Sequence, residues 1–320
     1  MTTLLLGFAP DSLPAACVDQ VRSLATPMRV EVTRDRTEIE RLLPDIEIAV
    51  GRFPHDLIPK APKLRWMQQW GAGADWLLKH PEAAEAPFVL TNASGVHAVP
   101  ISEHIFAYML AFARGFPRAQ RDQLESRWNP IAGRDLLELA GSTMLLVGVG
   151  AIGARTAKVA AAFDMRVVGV RRDPSIDVDG VAEMHALTDL RQLLPEADFV
   201  VLTVPLTHAT RGLIGASDLR VMKKSAYLVN IGRGGTVREA DLVRALQEGW
   251  IAGAGLDVFE EEPLPSDSPL WGMDNVIITS HYSGATPRYH ERAFAIFVDN
   301  LKRYLAGEPL KNVVDKKLGY

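Results

Sequence analysis

The chain has 320 residues, 48% of them hydrophobic and 23% charged, a balance that supports a sizeable core and fits two domains. Its net charge of −4 gives no electrostatic reason to expect nucleic acid or an anionic membrane as a partner. A single cysteine, Cys17, excludes an internal disulfide and a cysteine-built zinc site, and no metal site is expected.

The opening MTTLLLGFAP lacks a basic leader, and its short apolar run reads as a buried strand over residues 3–8 rather than a signal peptide. No later stretch has the length to span a bilayer, so a cytoplasmic protein is expected. Helix- and strand-like segments then alternate: helix 13–24, strand 29–32, helix 37–43, strands 47–50 and 64–69, a helix near 75–79 and a strand near 88–90. In the helix predicted over 101–113, Ile101, Ile105, Tyr108, Met109 and Phe112 share one apolar face, and Gly115 and Pro117 mark its end. The polar stretch 118–134, which carries Trp128, is a candidate subunit-contact segment without a pattern of its own. A second series of strands falls at 143–149, 166–170, 199–203, 226–230, 252–257 and 276–279, followed by a helix at 287–305 and a basic tail. Such alternation predicts an α/β chain with parallel sheets.

Gly148-Val149-Gly150-Ala151-Ile152-Gly153 follows a buried strand and opens an alanine-rich helix, with a further strand behind it. That is the context a dinucleotide-binding turn requires. Gly148 permits the tight turn, Gly150 lets the backbone approach a pyrophosphate, and Gly153 lets helix and strand pack closely. The amides at the start of the helix, around Ala151 and Ile152, present the positive end of the helix dipole to the phosphates. The next strand ends in Val170-Arg171-Arg172-Asp173-Pro174. An acidic residue normally holds the adenosine ribose there. Arg171 and Arg172 suit a 2′-phosphate instead, so NADP(H) is expected as the preferred cofactor. NAD(H) stays open, with Asp173 then serving the ribose.

Five motifs in order, 148–153, Val204-Pro205-Leu206-Thr207, 230–234, 257–263 and 281–286, resemble the D-isomer specific 2-hydroxyacid dehydrogenase family over nearly the whole chain. The resemblance implies two open parallel-sheet domains, Rossmann-like and flavodoxin-like, separated by a cleft. A discontinuous substrate-binding domain would comprise 1–98 and 286–320, and an NAD(P)-binding domain 99–285. The family's catalytic arginine, glutamate and histidine fall on Arg233, Glu262 and His281. Hydride attack on a 2-oxo acid builds negative charge on the C2 oxygen, so a proton donor such as histidine is needed. A neighbouring carboxylate orients it and stabilises its cation, and a guanidinium holds the substrate carboxylate. The implied activity is reduction of a glyoxylate- or hydroxypyruvate-like acid to the D-2-hydroxy acid.

The resemblance also assigns Asp257 to the nicotinamide amide, Pro205 and Thr210 to the cofactor's length, and Ile231 and Ser283 to the nicotinamide border. Gly71, Ala72 and Gly73 fall on the family's substrate-carboxylate loop, where successive amides can form an anion nest. Arg52 is a further substrate-contact candidate. Trp70 fits either a pocket wall or the core. A homodimer is implied.

Three departures stand out. Asp164 replaces a common glycine at a helix end, which an Asp tolerates. The stretch from Asn92 to His97 lacks the family's commoner proline and final asparagine. His104 reads as a core or hinge-packing residue. Two alternatives use the same scaffold: a dinucleotide-sensing protein of the co-repressor type, and a phosphite dehydrogenase-like enzyme.

Overall fold

The computed structural model describes residues 1–317, so the last three residues of the basic tail lie outside the described residues. The elements run β1 (Thr3–Gly7), α1 (Ala15–Leu24), β2 (Arg29–Val32), α2 (Arg36–Leu42), β3 (Ile46–Gly51), β4 (Trp66–Gln68), α3 (Pro81–Glu85), β5 (Val89–Thr91) and α4 (Ala98–Ala113). They continue α5 (Phe116–Leu124), β6 (Thr143–Val147), α6 (Ala151–Ala162), β7 (Arg166–Val170), β8 (Glu183–His185), α7 (Leu190–Leu193) and β9 (Phe199–Leu202). The last are α8 (Ala216–Leu219), β10 (Tyr227–Asn230), α9 (Glu239–Gln247), β11 (Gly253–Leu256), β12 (Val276–Ile278) and α10 (Tyr289–Ala306). The chain divides into two compact units, one of Met1–Val96 with the segment from Thr286 onward, the other of His97–Ala285.

The first unit holds a five-stranded sheet in the order β2-β1-β3-β4-β5. The second holds seven strands in the order β12-β11-β10-β9-β6-β7-β8. Every strand pair in both is parallel. In the second sheet the chain runs outward from β6 to β8, then returns to place β9 on the other side of β6. This is the doubly wound order, and its switch point lies between β6 and β9, where such sheets bind ligands beyond the strands' carboxyl ends.

Side chains alternate across each sheet, so a strand buried on both faces reads as a continuous apolar run. In β6, Leu145 and Val147 enter one core while Met144 and Leu146 enter another. In β1, Leu5 faces one layer and Leu4 and Leu6 the other, where Phe297 and Leu301 of α10 pack. Gly255 interrupts the apolar pattern of β11 because a Cβ there would lie 2.6 Å from the ring of Tyr108, which lies against the strand from α4.

Several elements differ from expectation. The long helix begins at Ala98, three residues before the predicted 101. Pro100 does not prevent this, since a proline in the first turn removes an amide that has no intrahelical acceptor. The 75–79 segment is a 3₁₀ helix. The polar stretch after Gly115 contains α5, and β8 forms a three-residue edge strand with no apolar run to announce it. Asp164 takes φ +55°, the left-handed end its place after α6 demands.

Candidate active site

The turn from β6 into α6 has the form that its glycines suggest. Gly148 has φ +103°, and a Cβ on it would lie 2.9 Å from both the Thr203 hydroxyl and the Val204 amide. Gly153 brings α6 so close that a Cβ would lie 2.4 Å from the Gly148 carbonyl. Gly150 is different. Its backbone is extended at φ −95°, and among the described residues, its chain neighbours aside, no atom lies within 4 Å of a Cβ built there. Nothing in the protein itself requires a glycine at that position. The open space before the first turn of α6 therefore fits a pyrophosphate, and the residues present suit a dinucleotide. Beyond β7, Arg171 is part-exposed, with its amide bonded to the His185 carbonyl at 3.0 Å, and Arg172 is exposed beside it. One oxygen of Asp173 accepts from the Ser175 hydroxyl (2.6 Å) and amide (3.1 Å); these bonds hold its carboxyl below the usual carboxylate range. Pro205 and Thr210 belong to one turn, in which the Thr210 hydroxyl donates to the Pro205 carbonyl at 2.6 Å.

Arg233 follows β10 and is held through its backbone. Its carbonyl accepts from Thr236 Oγ1 at 2.6 Å and from Asn230 Nδ2 at 3.2 Å, and Asn230 Oδ1 accepts the Gly232 amide at 3.1 Å. Its own Nη1 donates to the Gly232 carbonyl at 2.8 Å. Ile231, just before it, is buried. Gly234 explains how this turn meets the acidic loop: a Cβ there would lie 1.9 Å from the Phe259 carbonyl carbon. The residue after Arg233 thus packs directly on the backbone leading to Glu262.

Of the three acidic residues in the 260–262 run, only Glu262 reaches the histidine. Its Oε1 accepts the Phe259 amide at 3.0 Å, and its Oε2 lies 2.6 Å from His281 Nδ1. An ionised carboxylate can only accept, so Nδ1 carries the hydrogen of this contact. The bond leaves Nε2 as the ring nitrogen turned away from Glu262. His281 has φ +54°, a backbone conformation that costs energy for a side-chain-bearing residue and is tolerated by His more than by most. Its amide donates to the Asp257 carbonyl at 2.9 Å.

Asp257 is fully buried and organises the turn that follows β12. Its Oδ1 accepts the Tyr282 amide at 3.0 Å and the Thr279 hydroxyl, and its Oδ2 accepts the Ser283 amide at 3.0 Å. Thr279 in turn meets the Tyr108 hydroxyl and, at 3.1 Å, His104 Nε2. Burial pushes the Tyr108 phenol up and His104 down, so both stay neutral near pH 7. In the sequence Tyr108 belongs to an apolar helix face, His104 reads as core or hinge packing, and Thr279 stands out by no pattern. A hydroxyl two residues before the histidine, at a strand end, is the signal that could have drawn attention to it. His97 is a further addition. Its Nδ1 lies 3.1 Å from the Gly284 carbonyl, and burial holds it below the usual imidazole range, with the Arg233 guanidinium pushing the same way.

In the first unit, the loop after β4 has its carbonyls tied to the unit's own groups. Tyr289 Oη donates to the Trp70 carbonyl at 2.8 Å, the Ala93 amide to Gly71 at 3.1 Å, and Asn92 Nδ2 to Ala72 at 2.7 Å. In a trans peptide the following N–H points opposite to each carbonyl. The amides of Gly71, Ala72 and Gly73 therefore face away from these partners. Trp70 is part-buried and edge-on to Phe8 at 4.8 Å, with its indole N–H 3.3 Å from His290 Nδ1. Arg52 is exposed beyond β3. Trp128 is 97% exposed.

Known proteins resemble this chain in sequence and in fold. The family model described as D-isomer specific 2-hydroxyacid dehydrogenase, NAD binding domain, matches residues 106–283. Glyoxylate reductase of Thermofilum pendens is 36% identical over 91% of this chain and 86% of its own. D-3-phosphoglycerate dehydrogenase of Methanocaldococcus jannaschii is also 36% identical over 93% of this chain, which spans only 57% of that protein. The crystal structure of an NADPH-dependent glyoxylate/hydroxypyruvate reductase from Sinorhizobium meliloti, in complex with NADP and sulfate, superposes with a TM-score of 0.84 at 28% identity over the full length of both chains. The chain belongs to the D-isomer specific 2-hydroxyacid dehydrogenase family. It is an oxidoreductase with a nicotinamide dinucleotide as cofactor.

Proposed function

We propose that the chain reduces a small 2-oxo acid, glyoxylate or hydroxypyruvate in kind, to the D-2-hydroxy acid at the expense of NADPH, with His281 as proton donor. The observation that carries this reading is the 2.6 Å contact between Glu262 and His281, on a turn braced by buried Asp257. A protein that only senses a dinucleotide has no use for a carboxylate-oriented imidazole at a strained backbone position.

The roles follow from the chemistry. The amides of Gly71, Ala72 and Gly73 take the substrate carboxylate. The Arg233 guanidinium binds the acid and polarises the C2 carbonyl. Gly148, Gly150 and Gly153, with the Ala151 and Ile152 amides, cradle the pyrophosphate. Ile231, Ser283, Pro205 and Thr210 line the rest of the cofactor site, and the buried Asp257 carboxylate, implied by the family resemblance to meet the nicotinamide amide, acts here by bracing the turn that carries His281 and Ser283. When bound, the dihydronicotinamide supplies the hydride. As charge develops on the C2 oxygen, His281 gives it the Nε2 proton, and Glu262 stabilises the imidazolium and fixes its plane. In the oxidative direction neutral His281 is the base. The substrate-binding role belongs to the first unit and the dinucleotide-binding role to the second.

A homodimer and a cytoplasmic location complete the reading. Exposed Phe116, Leu124 and Trp128 on one stretch of the second unit support the former.

The direct test is a panel of 2-oxo acids with NADPH and NADH. Oxidation of NADPH by glyoxylate or hydroxypyruvate is expected, and no turnover with any 2-oxo acid overturns the proposal. The cofactor preference has its own test. With Arg171→Asp, the NADPH/NADH ratio of kcat/KM is expected to fall by about 100-fold, since a charge-assisted contact becomes a repulsion. An unchanged ratio removes Arg171 from cofactor selection.

A further inference from the structure

The loop that offers its amides to the carboxylate is held by a side chain that has no part in the chemistry so far. Gln69 directly follows β4. Its backbone is fixed on both sides: its amide donates to the Thr91 carbonyl at 2.7 Å, and its carbonyl accepts from Gln68 Nε2 at 3.0 Å. Gln68 is fully buried and bonded in turn to Thr91 Oγ1 (2.8 Å) and Asn300 Nδ2 (3.2 Å). The Gln69 side chain turns the other way. Its Nε2 donates to the Gly71 carbonyl at 3.3 Å and to the Gly73 carbonyl.

The orientation of this amide is determined by chemistry. Gln69 Oε1 lies 2.7 Å from Trp76 Nε1. An indole N–H can only donate, so the oxygen must face it and the NH₂ must face the two glycine carbonyls. Trp76 is itself fixed, with its ring stacked on His55 at a centroid distance of 3.8 Å and an interplanar angle of 13°. The Gly71 carbonyl has a second partner in the Ala93 amide. Among the described residues, Gln69 is the partner of the Gly73 carbonyl. The peptides that start from these two carbonyls, 71–72 and 73–74, are thereby turned so that their N–H groups point away from Gln69. Glycines have no side chain to hold such a loop, and without an outside brace its peptides are free to rotate.

We propose that Gln69, oriented by Trp76, is a positioning residue that aligns the anion-binding amides of residues 71–74. This rests on the reading that the loop takes the substrate carboxylate. Gln69 touches no substrate atom; it sets the direction of the groups that do, and its loss is felt in ground-state affinity for the acid.

The test uses the full chain with Gln69→Met, which keeps the volume and removes the hydrogen bonds, and Trp76→Phe, which keeps the ring on His55 and removes the N–H. Calorimetric titration with oxalate, an unreactive dicarboxylate, reads the loop without turnover. Steady-state kinetics with glyoxylate and NADPH read it in action. The oxalate Kd and glyoxylate KM are expected to rise about tenfold or more in Gln69→Met, and less in Trp76→Phe, while kcat at saturating glyoxylate and the KM for NADPH stay within about threefold. Unchanged oxalate affinity and glyoxylate KM in Gln69→Met overturn the proposal while leaving the carboxylate loop standing. So does a fall in kcat together with a poorer NADPH KM, which marks general structural damage. If the unaltered protein neither binds oxalate nor reduces glyoxylate, the carboxylate reading fails and this proposal with it.

Discussion

Replacement of His281 by alanine is expected to lower kcat for 2-oxo acid reduction by about 10²–10⁴-fold, the usual worth of a positioned general acid. NADPH binding is expected to survive. The backbone of residue 281 is held from outside its side chain, through the Asp257 carbonyl, and the neighbouring amides of Tyr282 and Ser283 are held by the Asp257 carboxylate. Removing the imidazole therefore deletes the proton donor and leaves the turn around it in place. One compensation exists: water can protonate the developing alkoxide slowly, which sets the residual rate. Cofactor titration by nicotinamide fluorescence beside single-turnover reduction separates binding from chemistry. Turnover close to that of the unaltered protein would remove His281 from the mechanism.

Arg233→Lys is expected to cost about 10²–10³-fold in kcat/KM although charge is conserved. The guanidinium presents several donors in one plane and can hold a carboxylate and an adjacent carbonyl together, whereas an ammonium is a single point of charge on a flexible stem. The surroundings are built for the longer fork. The Arg233 carbonyl is pinned by Asn230 and Thr236, and the guanidinium is steadied by the Gly232 carbonyl at 2.8 Å. Gly234 lets the same turn lie against the loop of Glu262. If lysine serves nearly as well, the residue acts only as a diffuse positive charge. Kinetics against both the 2-oxo acid and NADPH discriminate, since the loss belongs to the acid.

The parts of the site that could be read in the sequence are those whose requirements are local. The 148–153 turn needs glycines at fixed spacing for reasons of backbone geometry, and the seven-stranded sheet beneath it is written in β-branched and leucine runs. Arg233, Glu262 and His281 follow from motif order and chemical type, and the structure brings Glu262 and His281 together. What escaped is non-local or unpatterned. The Asp257–Thr279–Tyr108 network joins β11, β12 and α4, and the Gln69–Trp76 contact depends on a loop doubling back. Neither leaves a periodicity. The edge strand β8 is three residues long and part-exposed, so it carries no apolar run, and α5 presents mostly polar residues. The start of α4 lies three residues ahead of the apolar face that marks the helix in the sequence, because its first turn, Ala98-Val99-Pro100, adds nothing to that spacing.

Hydride delivery to C2 of a 2-oxo acid is the central chemical claim, and isotope transfer tests it most directly. NADPH carrying deuterium at both C4 positions would be oxidised with hydroxypyruvate or glyoxylate, and the product analysed by mass and, for hydroxypyruvate, by chiral separation. One deuterium at C2 for each NADPH consumed, in a product of D configuration, is the expected result. An L product, deuterium appearing in solvent and not at C2, or no oxidation of NADPH would contradict it.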